Sequence, residues 1–290
     1  VGENGVGSNA QDLSVIPGKV HRLNPDGTIP ADNPFPGSPI WSYGLRNSFG
    51  FSFHPVTGSL FLSEAGPNSD DEVNRIVRGD NYGWPAGRGC ANDPGFRDPL
   101  LAFTPVVTPT GNAVLHSNRY PAQFLHNLFI GEWNTGRIRR SMLAGTPDTE
   151  ALPPSTFLDL GGGFEPNGIL DLKMGPDGHL WFSTPNSIRR IVFTLPIPLP
   201  TLASSGTPAI GNQILLSLLG NPGEAAFLLL TSPGTAFRRV ISPGVIPPLG
   251  VSSTVLGIPN DPTLVGRALV ARGFTVNAAF QVSASGPLEV

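Results

Sequence analysis

Acidic side chains are concentrated between residues 63 and 85, although only 13% of the chain is charged. The stretch reads SEAGPNSDDEVNRIVRGDNYGWP and ends in a Tyr-Gly-Trp-Pro turn. Its carboxylates are Glu64, Asp70, Asp71, Glu72 and Asp80. Oxygen ligands on a flexible glycine-containing backbone suit a hard cation, and above all calcium, which accepts both carboxylate and main-chain carbonyl oxygens.

Four residues of this stretch are candidate calcium ligands. Gly66 and Pro67 offer two adjacent carbonyl oxygens in a turn, Glu72 offers a carboxylate, and the turn at Tyr82 offers a further carbonyl. The spacing is not that of an EF-hand. The alternative interpretation is a solvated acidic loop that closes a hairpin, and the residue types alone leave both open.

An Arg-Asn pair, Arg46-Asn47, precedes the next strand-like segment upstream. An arginine in this position could bind a carboxylate or stabilise an oxyanion. It could equally donate hydrogen bonds to loop carbonyls. The sequence around the pair does not distinguish the two roles.

The elements that position these residues are predicted to be strands. The 290 residues include 36 glycines and 32 prolines, which fall between short apolar runs and favour many strands joined by tight turns. The net charge is −3 and no basic run is present, so we expect no nucleic-acid partner. No apolar run approaches the roughly 20 residues of a membrane helix, so we expect no membrane span.

A loose internal repeat indicates propeller blades. FGFSFHPVTGSLFLSEAGPN (49–68) and ILDLKMGPDGHLWFSTPN (169–186) share a strand, a Pro-Gly turn and a second strand, and NLFIGEWNTGRIRRSML (127–143) is a shorter copy. Such sheets bury their faces only by stacking on neighbours. We predict an all-β partial propeller of about three to four blades over 1–193, although a propeller usually has four to eight.

The composition changes after residue 193. A Pro-rich stretch, 194–208, is predicted to be an extended linker, and 209–290 is predicted to be a small β-sandwich. The polar, glycine-rich opening VGENGVGSNAQDL is typical of the middle of a protein, so we expect a fragment or a processed chain.

The segment YGLRNSFGFSFHPVTGSLFLSEAGPNSDDEVNRIVRGDNYGWP resembles the soluble PQQ-dependent sugar dehydrogenases of the glucose/sorbosone dehydrogenase family. The resemblance extends over roughly 8–193, including LFIGEWNTGRI and GPDGHLWFST. It implies a six-bladed propeller, here without its N-terminal blades, that binds pyrroloquinoline quinone (PQQ) beside Ca²⁺. By this resemblance Gly66 and Pro67 ligate the calcium that holds PQQ, and Arg46 and Asn47 contact the cofactor.

The resemblance implies a second calcium site, made by the carboxylate of Glu72 and the carbonyl of Tyr82. The implied activity is oxidation of an aldose sugar to its lactone, with transfer to an external electron acceptor, in a secreted, periplasmic or cell-surface protein. The implied histidine base belongs to the family's N-terminal half, so no catalytic residue is assigned here. We expect structural or surface roles for the histidines present, His21, His54, His116, His126 and His179.

The sequence departs from the family at positions that would contact the cofactor. The family's Arg-x-Arg-Asp run is replaced by Gly168-Ile169-Leu170-Asp171, and Trp133-Asn134 stand where some members have a lysine. Arg137, Arg139 or Lys173 could compensate, depending on their direction. The departures favour an alternative function, a non-catalytic, calcium-stabilised propeller that binds a glycan or a protein, as the similar Hedgehog-interacting proteins do.

The C-terminal segment resembles domains appended to secreted proteins of planctomycete-like bacteria, most clearly at IPNDPTLVG. This resemblance implies attachment, sorting or carbohydrate contact and does not choose among them.

Overall fold

A computed structural model of the chain describes residues 2–87, 89–145, 147–162, 167–193, 200–205, 213–233, 238–258, 268, 270–278 and 282–289. These residues form antiparallel strands, with two short 3-10 segments, Gly7–Ala10 and Ala122–Phe124. None of the helical segments in the described ranges has the length and apolar character to cross a bilayer. The predicted all-β class is confirmed.

The first two thirds of the chain form four antiparallel sheets. The first sheet pairs β1 (Lys19–His21) with β2 (Ile40–Tyr43). The second has the order β3 (Ser48–Phe53), β4 (Leu60–Glu64), β5 (Asp71–Ile76) and β6 (Leu101–Phe103). The third runs from β7 (Pro109–Val114) through β8 (Asn127–Glu132) to β9 (Arg137–Ala144), which also pairs with β10 (Glu150–Ala151) and β11 (Ser155–Asp159). The fourth contains β12 (Asp171–Met174), β13 (Leu180–Thr184) and β14 (Ser187–Ile191).

The first strands of the last three of these sheets lie against one another. Asn112 on β7 donates through Nδ2 to the carbonyl of Gly50 on β3 (3.2 Å) and forms a side-chain hydrogen bond with Ser52. Lys173 on β12 donates to the carbonyl of Phe51 on β3 (2.8 Å). Sheets whose first strands meet in this way are arranged as propeller blades around a common axis. The predicted partial propeller is therefore confirmed.

Apolar clusters fill the spaces between successive sheets, because the central strands bury both of their faces. On β4, Phe61 packs toward β7 and β8 with Leu128 and Ile130, whereas the next residue, Leu62, packs toward the first sheet with Tyr82. Each such fully buried aromatic or aliphatic side chain contributes about 1.5–3 kcal/mol relative to exposure. The blades are therefore held in place by their neighbours.

One apolar face of β3 is exposed. Phe49, Phe51 and Phe53 alternate along the strand and are 54%, 54% and 60% exposed. Phe51 is the register partner of Leu62, which packs toward the first sheet. In a closed ring an adjacent blade covers such a face, and within the described residues the two-stranded first sheet does not.

The C-terminal part forms two further antiparallel sheets. Its strands are β15 (Thr201–Ser205), β16 (Gln213–Leu219), β17 (Ala225–Thr231), β18 (Arg238–Val245), β19 (Val251–Gly257), β20 (Val270–Val276), β21 (Val282–Ala284) and β22 (Leu288–Glu289). One sheet has the order β15-β16-β19, and the other has β18-β17-β20-β21, with β22 also paired with β20. Leu216, Leu218, Leu228 and Leu230 pack between the two sheets, as expected of a small sandwich.

The predicted linker, 194–208, lies partly outside the described residues. Of its residues, 200–205 are described, and 201–205 form β15, which pairs with β16. The predicted boundaries at 194 and 208 remain predictions.

The sandwich packs on one end of the propeller blades, where hairpins connect β3 to β4, β7 to β8 and β12 to β13. Asn118, between β7 and β8, donates to the carbonyls of Leu249 (2.9 Å, from its backbone) and Gly220 (3.0 Å, from its side chain). Leu219 and Val251 enter the apolar cluster of the last two blades. We call this end of the blades the hairpin end.

Candidate functional site

The candidate site lies at the end of the blades opposite to the hairpin end. Ser48 and Glu64 are register partners at this end of β3 and β4. Their antiparallel pairing brings the Arg46-Asn47 pair, which precedes β3, next to the turn that follows β4. Asn47 accepts a backbone hydrogen bond from Ala65 through its carbonyl (3.1 Å). The structure therefore brings together three of the predicted site residues, Arg46, Asn47 and Gly66.

The Arg46 side chain points at the carbonyl oxygens of this turn. Its Nη1 donates to the carbonyls of Ala65 (2.7 Å) and Gly66 (2.9 Å). The guanidinium carbon also lies over the ring of Trp84, 5.5 Å from its centroid, which permits a cation–π contact. The carbonyl oxygen of Gly66, a predicted calcium ligand, thus faces a positive charge in this structure. That charge belongs to Arg46.

Close backbone packing makes glycine necessary at position 66. A Cβ there would lie 2.2 Å from the carbonyl oxygen of Ser69 and 2.8 Å from that of Asp70. Several main-chain oxygens therefore crowd around Gly66. Pro67, the adjacent predicted ligand, is half-buried in the same turn.

Asp71 holds this turn in place, a role that the sequence analysis missed. Its carboxylate is fully buried and accepts from the backbone N–H of Gly66 at Oδ1 (2.7 Å). Its Oδ2 accepts from the N–H groups of Val107 and Thr108 (2.6 Å each). Three backbone donors satisfy a buried carboxylate well. Asp71 therefore ties the turn to the segment that leads into the third sheet.

The predicted ligand Glu72 is one of two buried carboxylates that face each other. Glu72 and Glu64 are register partners on β5 and β4 and are 6% and 5% exposed. Asn74 donates through Nδ2 to Glu72 (3.2 Å) and weakly to Glu64 (3.4 Å). The backbone N–H of Gly89 donates to Glu72 (2.7 Å), and that of Arg46 donates to Glu64.

Burial and nearby negative charges make these carboxylates weak acids. Burial, reinforced by the charge of Glu72, raises the pKa of Glu64 to about 8. Burial also raises the pKa of Glu72, opposed by the hydrogen bonds from Gly89 and Asn74. Among the ion pairs of the described residues, none includes either glutamate. A cation or a proton would relieve this repulsion.

Tyr82 turns its side chain into the core. The hydroxyl accepts from the N–H of Val77 (2.9 Å) and donates to the carbonyl of Arg75 (2.6 Å). Burial raises the pKa of the Tyr82 hydroxyl. Tyr82 and Glu72 share no hydrogen-bond partner among the described residues. The main-chain carbonyl of Tyr82, and not its hydroxyl, remains a candidate ligand. No three His, Cys, Asp or Glu side chains in the described ranges are grouped as a metal site, so a cation here would need main-chain or amide oxygens.

The resemblance implies cationic side chains that bind the cofactor near positions 133 and 168. In this chain these positions carry a tryptophan and a glycine, which contact each other. A Cβ at position 168 would lie 2.4 Å from Cε3 of Trp133, so the indole covers Gly168. Ile169 is buried, and Leu170 is 37% exposed. The structure therefore replaces cationic side chains by an apolar contact here.

The cations considered as compensation already have partners. Arg137 forms an ion pair with Asp159 (2.7 Å), and Arg139 forms one with the fully buried Glu132 (2.8 Å). Lys173 donates to β3, as described above. Among the described residues, Arg46 is the cation that donates to the carbonyls of this turn.

The histidines lie away from Gly66. His54, His116, His126 and His179 belong to the hairpin end, in or beside the connections from β3 to β4, β7 to β8 and β12 to β13. On β1, His21 pairs with Ile40, at the end of β2 remote from Arg46. No histidine of the chain is therefore placed to act as a base at this turn.

Comparisons with known proteins identify what the chain resembles. The sequence model of the family Glucose / Sorbosone dehydrogenase matches residues 1–192. Aldose sugar dehydrogenase YliI of Escherichia coli is 35% identical over 205 residues, which are 64% of this chain and 53% of that protein. Quinoprotein glucose dehydrogenase B of Acinetobacter calcoaceticus is 53% identical over 91 residues, which are 30% of this chain and 19% of that protein.

A solved structure of an aldose sugar dehydrogenase is also similar to this chain. The PQQ-bound form of aldose sugar dehydrogenase from Streptomyces coelicolor aligns with a TM-score of 0.53 and 33% identity, over 64% of this chain and 51% of that chain. The chain thus spans about half the length of the two aldose sugar dehydrogenases. The family match ends at residue 192, before β15, the first strand of the C-terminal sheets.

Proposed function

Because the chain belongs to the glucose/sorbosone dehydrogenase family, we propose that the protein oxidises an aldose sugar to its lactone with PQQ held beside a calcium ion. The observation that carries the proposal is the convergence of the Arg46 guanidinium on the carbonyl oxygens of Ala65 and Gly66. It supports a site at which main-chain oxygens and one arginine bind charged groups. An external electron acceptor and a location outside the cytoplasm are part of the same proposal and rest on the resemblance alone.

The residues fit a calcium ion. Calcium prefers carbonyl and carboxylate oxygens, and the turn offers the carbonyls of Gly66 and Pro67 beside the buried pair Glu64 and Glu72. The side-chain oxygen of Asn74 is buried and has no partner among the described residues. A divalent cation would neutralise the two carboxylates, which now have only neutral donors. In this proposal Gly66 and Pro67 hold one calcium, and Glu72 and the Tyr82 carbonyl hold a second.

The residues fit PQQ less completely. PQQ carries three carboxylates, and each well-formed hydrogen bond to a charged group contributes about 1.5–3 kcal/mol. In this proposal Arg46 and Asn47 contact PQQ, but the Trp133–Gly168 contact stands where the resemblance implies further cations. We therefore propose that this chain holds PQQ more weakly than its relatives do.

The chain's own groups would position and polarise the reactants. Bound PQQ would supply the two-electron acceptor, a reaction that belongs to the cofactor. Arg46 keeps a positive charge at the end of β4, where an anionic oxygen would be stabilised. Asp71 keeps the turn rigid through its three backbone hydrogen bonds. The base that accepts the sugar hydroxyl proton is not assigned to any residue of this chain.

Calorimetric titration with CaCl₂, followed by PQQ in the presence of calcium, tests this proposal. We expect PQQ binding that weakens at least about tenfold in Arg46→Gln, because one charge-assisted contact is lost. Arg119→Gln, an exposed arginine at the hairpin end, is the matched control and should not change the affinity. If PQQ fails to bind at micromolar concentrations with calcium present, the enzymatic proposal is wrong.

One observation favours a second candidate function. The indole of Trp133 over Gly168 and the half-exposed Leu170 form an apolar surface where the family is expected to bind an anionic cofactor. This surface supports the alternative that the propeller keeps its calcium and binds a glycan or a protein. Calcium binding without PQQ binding in the same titration would favour this alternative.

A further inference from the structure

Three histidines that are far apart in sequence form a buried cluster at the hairpin end. His54 and His126 are stacked, with ring centroids 5.0 Å apart and planes at 13°, and His116 lies 5.1 Å from His126 at 49°. His54 and His126 are 1% and 2% exposed. The cluster lies where the C-terminal sandwich packs on the blades, because His126 contacts Ser217 of β16.

The hydrogen bonds of His54 require that its ring is neutral. Nδ1 of His54 accepts from the backbone N–H groups of Val56 (3.1 Å) and Thr57 (3.2 Å), so it cannot carry a proton. Nε2 of His126 is 2.6 Å from the Ser217 hydroxyl. Three other ring nitrogens, His54 Nε2, His116 Nδ1 and His126 Nδ1, have no partner among the described residues. None of these nitrogens has a hydrogen bond to a carboxylate among the described residues.

These rings do not form a metal centre. An ion bound by an imidazole lies in the plane of that ring, because the lone pair of the nitrogen lies there. The nearly parallel, stacked planes of His54 and His126 cannot share one ion. The absence of any metal-site grouping within the described ranges agrees with this geometry.

We propose that the histidine cluster makes the contact between the C-terminal sandwich and the hairpin end sensitive to acid. This contact, which we call the joint, holds the sandwich on the blades at neutral pH and releases it in acid. A proton on His54 would break two backbone hydrogen bonds, and protons on several rings would place like charges about 5 Å apart in a buried site. Separation of the two parts would hydrate the rings. The joint is remote from Gly66, so this proposal does not rest on the proposed sugar oxidation.

The groups that face the cluster support this direction. From the sandwich, Ser217 and Ser253 face it, and their hydroxyls are 2.7 Å apart and uncharged. From the loop between β9 and β10, the carboxylate of Asp148 accepts a hydrogen bond from the Thr57 hydroxyl. Its charge partly offsets the lowering of the His54 pKa by burial. The histidines themselves also titrate, and they repel one another when charged.

Burial, with the charge of His54, lowers the pKa of His116 to about 4, and burial lowers the pKa values of His54 and His126. Released histidines would return to their usual pKa of about 6.5. The released state therefore binds more protons, so the joint is strongest above about pH 6.5 and weakens as pH falls toward 4. One such histidine changes the docking equilibrium by about 30-fold at pH 5.

Hydrogen exchange of the whole chain at pH 7.5 and pH 5, corrected for intrinsic exchange rates, tests the joint. We expect protection of the Asn118 amide, which donates across the interface to the Leu249 carbonyl, to fall at least tenfold at pH 5 while the β4 and β8 amides stay protected. Small-angle scattering should show an increased radius of gyration over the same range. His116→Gln, which removes one titrating ring at a half-buried position, should shift the transition to lower pH.

Two outcomes would overturn the proposal. One is protection of the Asn118 amide that does not change between pH 7.5 and pH 5, or that falls together with the protection of the β4 and β8 amides, which would indicate global unfolding. The other is an equal shift in His21→Gln, the matched control on β1 outside the cluster. If His126→Gln does not fold, His116→Gln still gives the decisive comparison.

Discussion

Glu64 and Glu72 lie directly opposite one another on β4 and β5, both buried, with the Asn74 amide donating to both carboxylates. Two like charges in this position are unfavourable unless one is protonated or a cation is present. The pKa of Glu64, raised to about 8, shows that protonation is the metal-free solution. The pair therefore links the stability of the blade to pH.

Glu64→Gln should stabilise the metal-free protein in alkaline solution. Because the pKa of Glu64 is raised on folding, its contribution to stability is present at low pH and is lost as pH rises toward about 8. Glutamine mimics the protonated carboxyl, so the free energy of unfolding should exceed that of wild type by roughly 1–3 kcal/mol at pH 8.5, and by less at pH 6. Urea unfolding in EDTA measures this difference.

The control is Glu132→Gln. Glu132 is equally buried but forms an ion pair with Arg139 (2.8 Å), so its substitution should destabilise the protein. A Glu64→Gln protein that is less stable than wild type at pH 8.5 would show that the pair is not repulsive.

Calcium should stabilise the wild-type chain, and Glu72→Gln should reduce this effect. A ligand that binds only the folded state at 100 times its Kd adds about 2.7 kcal/mol, which a thermal melt detects as an increase in Tm. Glu150→Gln, at an exposed position on β10, is the matched control and should keep the full calcium effect. An undiminished increase in Tm in Glu72→Gln would remove Glu72 from the proposed ligands.

Gly66→Ala should disrupt the turn after β4. The added Cβ would lie 2.2 Å from the Ser69 carbonyl oxygen, so the turn must move, at a cost of roughly 2 kcal/mol. Calcium-dependent stabilisation should fall with it. Gly257→Ala is the control, because nothing lies within 4 Å of its Cβ position. Equal Tm values and calcium responses for wild type and Gly66→Ala would contradict the role of this turn.

Local patterns predicted the strands and hairpins well, because alternation and turn residues act over a few positions. The hairpins between β3 and β4 and between β12 and β13 follow directly from such patterns. The pairing of Glu64 with Glu72 could also have been predicted, because a hairpin centred on residue 68 places these residues opposite each other. Glu72 alone was predicted to be a ligand, and its pairing with Glu64 was missed.

Contacts between sheets could not be predicted in this way. Asp71 accepts hydrogen bonds from Val107 and Thr108, and His54 stacks on His126, because whole blades pack side by side. No periodicity in one segment encodes the partner in another. The contact of Trp133 with Gly168 also joins two separate segments. The sequence showed that the cations implied by the resemblance are missing at these positions, but not that the two residues touch.

Restoring cations at the Trp133–Gly168 contact should strengthen PQQ binding. Gly168→Arg alone should destabilise the protein, because the indole occupies the position of the new Cβ. The double variant Trp133→Lys with Gly168→Arg removes the obstacle and adds two positive charges. Each charge-assisted contact contributes about 1.5–3 kcal/mol, so we expect at least a tenfold gain in PQQ affinity by calorimetry.

The matched control for this gain is Gly257→Arg, which adds charge far from the turn. If the double variant folds and binds PQQ no better than this control, then cations at 133 and 168 do not face the cofactor. The apolar contact would then belong to a propeller that binds a different ligand, and the alternative function would gain support over sugar oxidation.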